Sequence, residues 1–182
     1  MITLSTVFLL LLTATAAVTD LRVHKIYNWT TYPGIVVAFI VNLYENGWDD
    51  GLPGHPGLKD SLLGFAACGG ILLMSYVFFS VGGGDVKLIA MVGAFLGLEK
   101  GVEAVLWTFV LGFAMGVSML IWRVGLIRLI VGTVRHVLWS LRLVSWLPLS
   151  AEERRQLQPA LYLAPSAVVA VVIVCFDLVR FL

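Results

Sequence analysis

Asp85 follows three glycines, Gly82-Gly83-Gly84, between two apolar runs, and Asp20 closes the first apolar run of the chain. Both carboxylates stand where hydrocarbon meets water. Pulling such a group to the centre of a bilayer costs about 2.5–3.5 kcal/mol on insertion scales, so an ionisable side chain at the end of a membrane segment is a functional candidate by default. Two carboxyl groups that share a proton cannot both ionise, and the pair then offers an acid and a base at one pH. The ionised member can take a proton from water as the water attacks a peptide carbonyl. The protonated member can polarise that carbonyl and later protonate the leaving amine. Neither a metal nor a nucleophilic side chain enters this chemistry. The glycines suit it, because a chain without β-carbons bends tightly and admits a substrate backbone. A helix starting at Asp85 adds unsatisfied N–H groups that favour the ionised form. The plainer alternatives are that Asp85 is a helix N-cap, worth about 1 kcal/mol, and that Asp20 forms an interfacial ion pair near Arg22 and Lys25.

The elements that must position these two groups are membrane helices. Of the 182 residues, 60% are hydrophobic and 13% charged, with mean hydropathy +0.98, far from a soluble domain. The apolar runs are residues 2–18, about 30–44, 61–81, 86–98, 102–122 and about 160–182. They predict an all-α polytopic membrane protein, a single domain over residues 1–182, with about six transmembrane helices and a further amphipathic helix on the cytoplasmic surface. The second and fourth runs are short for a full crossing; helices that start late in the membrane would leave Asp20 and Asp85 in a polar notch at its rim. Gly93/Gly97 and Gly112/Gly116 are read as small-xxx-small pairs of ordinary helix packing. Cys68 and Cys175 lie in apolar runs without a Cys or His partner and are read as packing residues. The first run has no basic residues ahead of it and is expected to be a retained helix, not a cleaved signal.

In a six-span arrangement Arg22, Lys25, Lys87, Arg123, Arg128, Arg135, Arg142, Arg154 and Arg155 fall on one side, against Lys59, Lys100 and Arg180 on the other. That excess assigns the first side, with both aspartates, to the cytoplasm, provided the short second run crosses. Between the fifth and sixth spans, within residues 123–155, Arg128, Arg135 and Arg142 recur every seven residues and share one helical face. An amphipathic helix on anionic head groups is the reading that avoids burying them. The outer loop, residues 45–60, has turn composition; His55 with Asp49 and Asp50 is read as solvated loop, so no metal and no cofactor are expected. A net charge of +1 and the lack of a basic, aromatic stripe exclude nucleic acid.

Asp20-Leu21-Arg22, the following Lys25-Ile26-Tyr27-Asn28-Trp29-Thr30-Thr31, and Gly82-Gly83-Gly84-Asp85-Val86-Lys87-Leu88 together resemble the two signature regions of the type IV prepilin peptidases. These are intramembrane aspartyl proteases of the Gly-x-Gly-Asp class, and the likeness is closest to the short members serving Flp-type, or tight-adherence, pili. A weaker echo lies at Leu161-Tyr162-Leu163-Ala164-Pro165. The resemblance implies that Asp20 and Asp85 are the catalytic pair and that Gly82, Gly83 and Gly84 shape the loop. It implies supporting roles for Arg22, Asn28 and Lys87, with snorkelling to head groups an equal reading of Lys87. The substrate it implies is a prepilin with a basic cytoplasmic leader ahead of an apolar helix, cleaved at their junction in the bacterial inner membrane; pilus-assembly proteins are further partners.

The chain departs from longer family members, which carry a four-cysteine zinc domain near the N-terminus and also methylate the new pilin terminus. Cys68 and Cys175 cannot build that site, so peptidase activity alone is carried over. Tyr27 stands where the family commonly has proline. Two rival readings come from other classes. A transporter subunit would use the aspartates as proton or cation sites, but should show repeated halves with broken helices at the midplane, and no such repeat is evident. An assembly scaffold would tolerate loss of either aspartate. The presenilin-like proteases share Gly-x-Gly-Asp but pair it with Tyr-Asp, which Thr19-Asp20 does not match.

Overall fold

The computed structural model describes residues 3–23, 25–48, 56–79, 82–124 and 163–178. Five helices lie among them: α1 (Leu4–Val23), α2 (Asn28–Asn46), α3 (Leu58–Phe79), α4 (Gly83–Val124) and α5 (Leu163–Cys175). The protein is thus all-helical where described, and α1, α3 and α4 are long and apolar enough to cross a membrane. The arginine-bearing segment 125–147 and His55 with Asp49 and Asp50 lie outside the described residues. The chain divides into two compact units, Met1–Leu111 with Tyr162–Leu182, and Gly112–Leu161. All the packing below belongs to the first.

Helix α1 packs against α5 and α2, and α2 packs against α3. The inward stripe of α1 is Ser5, Leu9, Thr13, Ala16 and Ala17, spaced by three and four residues as one helical face requires. Thr13 satisfies its buried hydroxyl within the helix, donating to the Leu9 carbonyl at 2.7 Å, the usual solution for a buried helical threonine. On α2 the inward face is Thr31, Gly34, Ala38, Val41 and Asn42; Gly34 admits Met91 of α4 where a β-carbon would collide. Phe39 and Phe65 meet edge to face at 5.8 Å between ring centroids, joining α2 to α3.

The centre of this unit is the opening stretch of α4. Every residue from Leu88 to Phe95 is buried, as expected of a helix that is apolar all round. Its 42 residues are not one straight rod: Gly97, at φ 78° and ψ −171°, leaves the helical conformation. A β-carbon on Gly101 would sit 3.1 Å from the Cα of Gly93, whereas a continuous helix separates residues eight apart by about 12 Å. The chain therefore folds back at Gly97, with Gly93 against Gly64 and Cys68. Cys68 is a free, buried thiol here.

Three expectations need correction. Gly93 and Gly97 both lie against Gly64 of α3, as a packing pair should, but Gly97 is more than a packing position, since it also breaks the helix with a backbone conformation that glycine adopts readily. Helix α1 runs on to Val23, five residues past the end of the apolar run at residue 18, and carries Asp20 within its last turns. Among the described residues, helix α5 ends at Cys175 while its apolar run continues. It ends in a Schellman-type cap, with Asp177 at φ 44°, Leu178 N–H donating to Ile173 O at 3.1 Å and Asp177 N–H to Val174 O at 3.4 Å. Hydropathy does not register such a stop, because the cap is a backbone event.

Candidate active site

Asp20 continues the inward stripe of α1, four residues after Ala16. Asp85 lies in the first turn of α4, whose start is fixed by the Gly82 carbonyl accepting from the backbone N–H of Asp85 at 3.0 Å and of Val86 at 3.4 Å. Gly82 thus takes the N-cap place and Asp85 the third helical position, so Asp85 is not itself the N-cap. Its carboxyl folds back and hydrogen-bonds the Gly82 backbone, the N3 half of a capping box.

The two aspartates, 65 residues apart in sequence, line one cavity of about 350 Å³ with Lys25, Ile26, Tyr27, Asn28, Gly82 and Gly84. Both are half-buried, and their charges are close enough to interact. The cavity wall is built by the short connection between α1 and α2 lying against the start of α4. Two of the three glycines make that fit. A β-carbon on Gly82 would come within 2.9 Å of Asp85 Oδ2, and one on Gly84 within 3.0 Å of Ile26 Cβ. At Gly83 the nearest atom is Tyr76 Cε2 at 3.9 Å, an ordinary contact. The Gly-x-Gly-Asp pattern therefore has a steric basis at its two glycines and none at x.

Asn28 lines the cavity and also accepts a hydrogen bond from Lys87 Nζ at 2.9 Å, while the same ammonium lies 5.0 Å from the centroid of the Tyr32 ring. Lys87 is thus turned onto α2 and does not simply snorkel. Arg22 is exposed and, like Gly83 and Lys87, is not among the residues lining the cavity. Sequence reasoning singled out Asn28 but gave no site role to Lys25, Ile26 or Tyr27, although all three lie inside the quoted motif. Their position between two helices that had to converge was the available signal.

Chemically, the cavity brings together two interacting carboxyls, one ammonium and a side-chain amide at the ends of apolar helices. Two carboxyls whose charges interact disfavour ionising together.

Comparison with known protein families matches residues 7–117 to the type IV leader peptidase family. No curated protein and no solved structure gives a match. The matched stretch covers more than half of the chain and holds α1 from its first turn, α2, α3, the folded stretch of α4 and both aspartates: the chain belongs to the type IV leader peptidase family, whose members are aspartic-type proteases.

Proposed function

We propose that this chain removes the leader of type IV prepilins, of the Flp kind, at the cytoplasmic face of the bacterial inner membrane, with Asp20 and Asp85 as its catalytic pair. The observation that carries this reading is the convergence of the two carboxyls on one cavity from distant points of the matched region. Water bound between them loses a proton to the ionised carboxylate as it attacks the scissile carbonyl. The protonated partner donates to the carbonyl oxygen and then to the departing amine. Gly82 and Gly84 leave room for the carboxyl and for Ile26. Asn28 and Lys87 hold the wall, and Arg22 supports the membrane interface.

The orientation rests on the excess of Lys and Arg on the side of Asp20 and Asp85, and a single membrane domain over residues 1–182 suffices for it. Arg128, Arg135 and Arg142 rest on anionic head groups or a pilus-assembly partner; exchanging them for Gln is expected to weaken that association while sparing cleavage. Methylation is not included in the proposal.

The test is co-expression with candidate prepilins of the same genome, reading leader removal by gel shift and mass. Asp20→Asn and Asp85→Asn should each abolish removal in protein that still inserts. Cleavage surviving either change would break the pair. Since hydrolysis needs one carboxyl ionised and the other protonated, kcat/KM should fall on both sides of an optimum, with limbs that belong to the pair. A rate that stays flat through the acidic limb would count against the shared proton.

A further inference from the structure

The helix break at Gly97 is held by side chains that take no share in the cavity. Where α4 stops, the carbonyls of Ala94 and Phe95 lose their partners in the next turn. Asn42 Nδ2 of α2 donates to both, at 3.0 and 3.3 Å, and Ser61 Oγ of α3 also donates to Ala94. Beyond the break, the Leu98 N–H donates to Asp60 Oδ1 at 3.2 Å. Asn42 is fully buried, and its own Oδ1 accepts from Ser5 Oγ of α1 at 2.9 Å. One amide thus grips α1 near its start and the first arm of α4 at its end. These are the ends remote from Asp20 and Asp85.

We infer that Asn42 is a positioning residue: it fixes the axial register between the helix carrying Asp20 and the helical arm carrying Asp85, and so sets the separation of the two carboxyls from the opposite end of the molecule. This rests on the reading of Asp20 and Asp85 as the catalytic pair. The physical basis is that apolar packing can be re-formed in another register, whereas a buried amide is penalised for every hydrogen bond that a slip would leave unmade. A single buried Asn fixes the register of packed helices in coiled coils by this means. A slip of one turn moves a helix by about 5.4 Å, enough to separate carboxyls that must share a proton. The bonds to Ala94 and Phe95 also satisfy carbonyls that hydrocarbon could not.

The experiment compares purified parent, Asn42→Leu, Ser5→Ala and Ser5→Thr on a synthetic prepilin substrate across pH. Asn42→Leu keeps the branched heavy-atom skeleton and removes the whole grip; Ser5→Ala cuts only the link to α1 and protects the test should Asn42→Leu fail to insert. Ser5→Thr retains the hydroxyl. For both disruptive variants kcat is expected to fall by about 10–100-fold, the scale of an ångström-sized misplacement, with KM near the parent's and the limbs of the pH profile displaced. Ser5→Thr should restore both. If Asn42→Leu and Ser5→Ala merely lower the yield of inserted protein, while the remainder shows the parent's kcat and profile, the inference is overturned. Asp20→Asn and Asp85→Asn in the same assay keep the two questions apart. Activity in either sinks the catalytic pair itself, whereas their inactivity beside a normal Ser5→Ala sinks only the register.

Discussion

At the scale of single residues, the site's demands are mainly demands for absence. A β-carbon on Gly82 would push the Asp85 carboxyl, only 2.9 Å away, and one on Gly84 would press on Ile26 at 3.0 Å. Gly83 faces only Tyr76 at contact distance. Gly82→Ala and Gly84→Ala are therefore expected to lower cleavage at least about tenfold, within the reach of an ångström displacement of a catalytic group, while Gly83→Ala stays within about twofold of the parent. Equal losses at all three positions would show that the loop's flexibility matters and not these two contacts. The aspartates and glycines were legible in the sequence because polar residues at the edge of apolar runs stand out from their surroundings. Asn42 stood equally alone inside a run and went unread. Nothing near it in sequence hinted that its partners would be Ser5, Ser61, Ala94 and Phe95, from three other helices.

At the scale of elements, the start of α2 is tied to the start of α4 by a single ammonium. Lys87 reaches Asn28 at 2.9 Å and the Tyr32 ring at 5.0 Å. In this partly exposed setting the net coupling should be modest, about 0.5–1 kcal/mol. A double-mutant cycle with Lys87→Met and Asn28→Ala, read as thermal stability in detergent, should return that value, and strictly additive losses would deny the contact. The connection Lys25-Ile26-Tyr27 is held as well by Thr30, whose N–H and hydroxyl both donate to the Tyr27 carbonyl at 3.2 and 2.7 Å, and by Ile26 packing against the core and Gly84. Element boundaries were legible only where hydropathy changes. The apolar runs located each helix, but α1 extends past Asp20, α5 stops at a backbone cap, and α4 turns at Gly97 before the charged Glu99-Lys100 pair that marked the expected end. At α5 and at Gly97 a local backbone or side-chain partner, invisible to hydropathy, decided the boundary.

At the scale of the whole molecule, orientation turns on α2, which falls short of the hydropathy of α1, α3 and α4. Its aromatic residues supply an argument that hydropathy does not. Trp29 is 89% exposed and Tyr44 87%, with Tyr27 and Tyr32 exposed at the first end and Trp48 at the second. Trp and Tyr gather at the two water-facing borders of a bilayer, and the proposed orientation puts one border at each end of α2. A cysteine replacing Lys59 should then react with a membrane-impermeant thiol reagent in intact cells, and one replacing Arg22 should react only after lysis. Labelling of both in intact cells would mean that α2 dips and returns. The distance in sequence between the aspartates has a last consequence, for biogenesis. At about 5–20 residues per second of synthesis, Asp85 is made roughly 3–13 s after Asp20. A nascent chain that holds only α1, α2 and α3 carries half of the proposed catalytic pair. On that pairing, activity is expected to appear only once synthesis has passed Asp85, and a chain truncated before Gly82 should cleave no prepilin.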